Sequence, residues 1–175
     1  NVKFDNLYIN GSLVLNAGEQ PYKNYSEWLT HSEMKRVPHS YLLDFSKKPK
    51  WSYVMGIEME GMLDTYEAYK EGNESILEYL KEYPKTMIDE KGNITGYKYE
   101  DFNLDNVRTA KFILRMHNIA PTKGTEKALK TLFKQLVNQP RTQEGVYWHK
   151  AIYANQVWLD GIFMGLPFYC NYAVQ

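Results

Sequence analysis

Residues 72–80 read GNESILEYL, and residues 124–132 read GTEKALKTL. Each stretch opens on a glycine, a short polar residue and a glutamate. Leucines then follow at Leu77 and Leu80 in the first stretch and at Leu129 and Leu132 in the second. The offset is 52 residues. A short polar residue ahead of an apolar run marks a helix start, and Asn73 is placed to cap one. Working outward, helices are expected to begin near residues 51, 103 and 155, at the same interval. The unit is a helical hairpin of about 52 residues, present nearly three times.

The remaining segments fit this frame. Residues 1–23 lack a helical period, and Val2, Phe4, Leu7, Ile9, Leu13 and Leu15 suggest an extended arm around an Asn10-Gly11 turn. Residues 24–175 form the helical part. A first helix carries Glu27, Trp28, Met34 and Val37 and ends near Pro38. A loop with a solvated basic tail follows. The second helix, over 51–70, carries Met55, Met59, Met62, Leu63 and Tyr66 at helical spacing, a core stripe. Gly56 and Gly61 inside it each cost about 1 kcal/mol against Ala, so a close neighbour is expected at both. Pro84 is expected to kink or end the third helix. The fourth runs from Leu104 to about His117, and the fifth stops at Gln139-Pro140. Such hairpins either stack as an open solenoid or close into a ring of inner and outer helices. If the second, fourth and sixth helices form an inner layer, the loops before them gather at one mouth. That mouth receives Trp51, Tyr53, Asp105, Trp148, His149, Lys150 and Trp158.

Lys+Arg and Asp+Glu are both 21, so nothing favours a nucleic-acid backbone or an anionic membrane as partner. No apolar run approaches the ~20 residues of a membrane span. Fifteen tyrosines supply flat apolar area with a polar tip, which suits a sugar-lined cleft and equally any wet interface. The single cysteine, Cys170, sits in an apolar run and reads as a buried structural thiol. The chain starts at Asn1 rather than Met, as expected of a processed or trimmed product.

The chemistry gathers in residues 141–173. A polar, aromatic loop with Trp148, His149 and Lys150 runs into an apolar helix that holds one carboxylate, Asp160, between Leu159 and Gly161. Charge on such a face is costly unless it is paired or used. Asp105 reads either as a helix-start residue or as a second functional carboxylate. Two carboxylates at one mouth are equipment for general acid/base work on a glycosidic substrate. Lys150 offers a cation to a substrate carboxylate, with Arg108 and Arg141 as further anion partners, and His149 offers hydrogen bonds or proton movement. One Cys and no clustered His point to no metal site, and no glycine-rich phosphate loop is present, so no cofactor is expected.

Four motifs carry a resemblance. They are Asn103-Leu104-Asp105-Asn106-Val107-Arg108-Thr109, Gln139-Pro140-Arg141-Thr142-Gln143-Glu144-Gly145, Trp148-His149-Lys150 and Asn155-Gln156-Val157-Trp158-Leu159-Asp160-Gly161. In content, order and spacing they resemble the unsaturated glucuronyl and rhamnogalacturonyl hydrolases, glycoside hydrolase families 88 and 105, the rhamnogalacturonyl branch most of all. The resemblance spans about residues 27–173. Gly145-Val146-Tyr147 stands where the family pattern has Gly-Gly-Phe, and Val157 stands where it has Met.

The resemblance implies an all-α, six-hairpin (α/α)6 barrel and an unsaturated oligosaccharide substrate left by a pectin-type lyase. It implies hydration of the enol-ether double bond of a terminal 4,5-unsaturated galacturonate, with Asp160 and Asp105 as catalytic residues. It also implies His149, Lys150, Trp148, Trp158, Trp51 and Tyr53 as substrate-binding residues. A carboxylate that acts first as acid and then as base would be helped by apolar surroundings and a second carboxylate nearby. About six helices are half of such a barrel. An open half-ring would expose the apolar sides of its first and third hairpins, so a missing C-terminal half or a second copy is expected as partner. The alternative is a helical-hairpin carbohydrate-binding or scaffold protein without catalysis. Export to a bacterial periplasm suits the substrate, as does a trimmed cytoplasmic enzyme.

Overall fold

The computed structural model describes residues 7–9, 12–15, 22 and 24–175. Strands β1 (Leu7–Ile9) and β2 (Ser12–Leu15) pair antiparallel, with Ile9 opposite Ser12. The expected turn residues Asn10 and Gly11, and the apolar Val2 and Phe4, lie outside the described residues. Six α-helices follow among the described residues: α1 (Tyr25–Arg36), α2 (Tyr53–Ala68), α3 (Glu74–Met87), α4 (Leu104–Ile119), α5 (Lys123–Asn138) and α6 (Leu159–Ala173). The chain is all-α in its helical part, as the hairpin repeat predicts.

Local chemistry sets most of the helix starts. Asn24, Ser52, Asn103 and Thr122 each accept a backbone N–H from the first turn of the helix they precede. Thr122 and Thr125 do so reciprocally. Asn73 departs from the expectation. It precedes α3 without capping it by side chain. Its amide instead donates to Glu27 (2.7 Å) and to the Tyr69 carbonyl (2.7 Å), and its side-chain oxygen meets His31 (2.6 Å). Asn73 is a buried tie between α1 and α3. Pro84 neither ends nor breaks α3, which continues to Met87. Proline withholds one N–H, and the buried face carried on by Tyr83 and Met87 outweighs that loss.

Helix α4 is central, packed on α2 along one side and on α6 along the other, with α1, α3 and α5 behind. The methionine stripe is core as expected: Met55, Met59, Met62 and Leu63 are buried. The two glycines of α2 behave differently. At Gly56 a Cβ would lie 2.8 Å from the Thr109 Cα and 2.7 Å from its Oγ1, so α4 crosses against bare backbone there. Thr109 also donates to the Ser52 carbonyl (2.8 Å). At Gly61 nothing approaches within 4 Å, so the close neighbour expected there is not found among the described residues.

The even-numbered helices start at Tyr53, Leu104 and Leu159, so α6 begins later than the repeat predicts. Trp158 is consequently its cap residue, and Asp160 lies in its first turn rather than inside it. The outer flank of α6 is uncovered by described residues: Leu159 is 85% exposed, and Ile162, Phe163, Leu166 and Val174 are exposed as well. Cys170 shares that flank and is exposed, which corrects the buried thiol expected from its apolar neighbours. At the other end of the arc, Tyr25 and Leu29 of α1 are exposed. No helix among the described residues is long and apolar enough to cross a membrane.

Gly56→Ala is expected to force α2 and α4 apart and to destabilise the fold by about 1–3 kcal/mol. Gly61→Ala should be neutral or stabilising, as for an open helix position. Denaturant unfolding midpoints of the two variants check both.

Candidate active site

The cluster is built on the N-terminal turns of α4 and α6. Asp105 occupies the first turn of α4, where a carboxylate faces the positive end of the helix dipole. The Lys150 ammonium lies 2.8 Å from Asp105 Oδ2, and His149 Nε2 lies 3.3 Å from its Oδ1. The other ring nitrogen of His149 is 3.8 Å from Asp160 Oδ1. One imidazole thus stands between two carboxylates. A ring nitrogen and one oxygen from each acid lie within 4.8 Å of one another. His149 is 1% exposed, yet neither ring nitrogen makes a well-aligned hydrogen bond among the described residues. These contacts are close and electrostatic rather than directional.

Aromatic rings complete the wall. The Trp158 indole stacks on His149 with ring centres 4.3 Å apart and planes 7° from parallel. Tyr153 stacks on Trp158 at 5.3 Å. The Lys150 ammonium lies 5.8 Å from the Tyr153 ring and 6.0 Å from the Trp158 ring, within cation–π range.

Backbone contacts hold the 139–158 loop over the start of α4. The His149 carbonyl accepts from Leu104 N (3.0 Å), and the His149 N–H donates to the Gln156 carbonyl (2.9 Å). Ala151 N donates to Asp101 O (3.2 Å), and Trp148 N to Pro140 O (2.8 Å). Helix α6 comes close because Gly161 has no side chain: a Cβ there would lie 3.1 Å from Leu104 Cδ1 and 3.3 Å from His149 Nδ1.

Of the residues singled out in the sequence, Asp105, His149, Lys150, Trp158 and Asp160 come together. Trp148 is half-buried beside them. Trp51 is core instead. It is buried, its indole N–H donates to the Asn106 carbonyl (2.8 Å), and its ring stacks on Tyr83. Tyr53 opens α2 and is partly exposed. Arg108 is 4% exposed, paired with the buried Glu60 and covered by the Phe163 ring at 4.6 Å, so it is not an open anion partner. Arg141 donates to the Gly145 carbonyl and lies 4.1 Å over the Tyr147 ring. The apolar enclosure expected around Asp160 is only partial, since its side chain is 50% exposed. Being in the first turn, it projects past the packed part of α6.

The sequence reading missed Tyr153 and two buried glutamines, Gln135 of α5 and Gln139 at its C-terminal cap. The glutamines had a visible signal: with Leu132 and Leu136 they stand on the apolar face of α5 at helical spacing. Asp105, His149 and Asp160 also offer donor atoms suited to a divalent cation. The Lys150 ammonium already on Asp105 opposes a second cation there, so the set fits proton transfer better.

A two-layer arc of hairpins, with carboxylates at the N-terminal turns of its inner helices, is the build of a glycosidase of the six-hairpin kind. The chain belongs to glycosyl hydrolase family 88, whose family model matches residues 25–175. It is also similar to the solved structure of a family 105 glycoside hydrolase from C. acetobutylicum ATCC 824, with 33% identity and a TM-score of 0.75. That match covers 86% of this chain and 39% of the other, so the chain spans well under half the length of that protein. The arc is part of an (α/α)6 barrel.

Gly161→Leu is expected to drive the His149 ring off Trp158. Ring stacking at 4.3 Å shifts the imidazole proton resonances upfield, and that shift should collapse in the variant while the helical circular dichroism persists.

Proposed function

We propose that the protein containing this chain removes the 4,5-unsaturated galacturonyl residue from pectin (rhamnogalacturonan)-derived oligosaccharides, by hydrating the enol-ether double bond. The observation that carries the proposal is the asymmetry of the two acids. Asp105 is engaged on both oxygens, by Lys150 and by His149. Asp160 has His149 at 3.8 Å and is otherwise turned to the opening. Asp160 is therefore the carboxyl free to meet a substrate, and Asp105 the one held to orient it. Family membership supports a glycosidase, and the motif run over residues 148–161 supports the unsaturated substrate.

In the proposed step, the Asp160 carboxyl gives its proton to C4 of the unsaturated ring as the C4–C5 π bond breaks. Water adds to C5, and its surplus proton returns to Asp160. The hemiketal at C5 opens to a ketone, which leaves C1 as a hemiacetal, and C1 then releases the aglycone as an alcohol. One water is consumed overall. Lys150 binds the sugar and, with His149 buried behind Trp158, holds Asp105, while Trp158, Trp148 and Tyr53 offer ring faces and edges to the sugar. Further hairpins, or a second copy, close the ring against the exposed flank of α6. A groove of about 440 Å³ between that helix and the 141–147 loop is lined by Val146, Tyr147, Val157, Ile162 and Leu166 and suits such packing.

The test is the ultraviolet absorbance of unsaturated uronyl oligosaccharides incubated with the full-length protein. Hydration abolishes the absorbance and yields a 4-deoxy-5-keto-uronate. Persistence of the absorbance, or a saturated sugar end, would sink the proposal. Asp160→Asn should lower turnover by ~10²–10⁴-fold, the usual contribution of a positioned acid/base.

A further inference from the structure

Two buried side chains that touch neither acid connect the segment leading to Asp105 with the segment leading to His149. Gln139 is 2% exposed and Gln135 is fully buried. The Gln139 amide nitrogen donates to the Phe102 carbonyl and to the Trp148 carbonyl (2.9 Å). Its oxygen accepts from Gln135 Nε2 (3.2 Å), which also donates to the Asn103 carbonyl (3.1 Å). The Gln135 oxygen accepts from the Tyr97 hydroxyl (2.7 Å). Every donor of the pair is used. The orientation of both amides follows, because a flip would turn oxygen toward backbone carbonyls.

The geometry of the receiving backbone makes these bonds more than filler. Phe102 has φ 40°, a left-handed conformation that is unfavourable for a bulky residue and is kept only where its surroundings impose it. Phe102 and Asn103 lead directly to Asp105, and Trp148 directly precedes His149. A single amide therefore spans the two segments whose side chains meet as Asp105, His149 and Lys150. Rotamer-locked groups behind a reactive cluster matter because displacement of that cluster by ~1 Å can cost ~10²-fold in rate.

We infer that Gln139, seconded by Gln135, is a positioning residue: its amide clasps the 102–103 strained turn to the 148–150 loop and so sets the Asp105–His149–Lys150 geometry. The kinetic part of this inference rests on the proposed hydration; the structural part does not.

Two measurements on the full-length protein separate them. The first is hydrogen exchange by mass spectrometry on peptides covering residues 102–106 and 147–152. Gln139→Met removes both donors at similar volume. Exchange should rise in those two segments, where Leu104 N, Trp148 N and Ala151 N are bonded, while the interior of α4 and α5 stays protected. Gln135→Met leaves both Gln139 donors in place and should give a smaller rise. The second is turnover well below the melting temperature. Gln139→Met should lower kcat on the order of 10–100-fold with KM changed less than about threefold, and Gln135→Met should lower it less.

Unchanged exchange in the two segments overturns the inference. So does exchange that rises everywhere together, or a kcat equal to wild type in a folded variant. If Gln139→Met does not fold, the local exchange and kcat of Gln135→Met decide in its place. If the wild-type protein leaves unsaturated oligosaccharides untouched, the proposed reaction falls and the exchange pattern still decides the clasp.

Discussion

The first turn of α4 has more hydrogen-bond donors than its own helix can satisfy. Where they go arranges the rest of the site. The Asn103 side chain takes the N–H of Asp105 (3.0 Å), and the N–H of Leu104 goes to the carbonyl of His149 (3.0 Å), 45 residues later. That second bond docks the 139–158 loop on the end of the helix. It places an imidazole and an ammonium beside Asp105 at the positive end of the dipole. Helix α6 then follows from the loop, and the bare backbone of Gly161 lets its first turn reach His149. The Ala151 N–H on the Asp101 carbonyl (3.2 Å) and the Gln139 amide on the Phe102 and Trp148 carbonyls tie the loop to the same segment, so the Leu104 bond does not act alone.

One turn below, the same two helices and α2 meet through charge. Arg108 of α4 is buried against Glu60 of α2, and Lys111 (3.1 Å) and Arg115 (3.6 Å) of α4 face the same carboxylate. Phe163 of α6 covers the guanidinium. Burying such a pair gains little net stability, since desolvation offsets the attraction. Removing either partner alone would be costly, because the other charge would stay buried. The inner face of α4 is thus held to both neighbours by polar contacts beneath the acid cluster.

The fold was legible because its signals are local and repeated. Methionine and leucine stripes at helical spacing named the buried faces, and the 52-residue interval named the hairpin. The errors fell where a tertiary partner competes with a local preference. Asn73 has the chemistry of a cap, but Glu27 and His31 draw its side chain away. Pro84 forfeits one bond in a helix whose packing continues past it. Helix α6 starts late because residues 150–156 fold into turns that hand Gln156 to His149 (2.9 Å). The site was legible through residue types that are expensive where they stand, Asp160 above all. Trp51 was misleading, because an indole serves a core and a sugar face equally well. Gln135 and Gln139 escaped notice because amides give no charge signal, and their role appears only once three loop carbonyls converge on them.

Cys170 is the one thiol in the chain, and it lies on the uncovered flank of α6 with Leu166 and Val174, one turn to either side. Whatever packs on that flank must pack over the sulfur. The chain therefore carries a built-in chemical reporter: the rate at which an alkylating label reaches Cys170 reads whether that flank is covered, with no substitution needed.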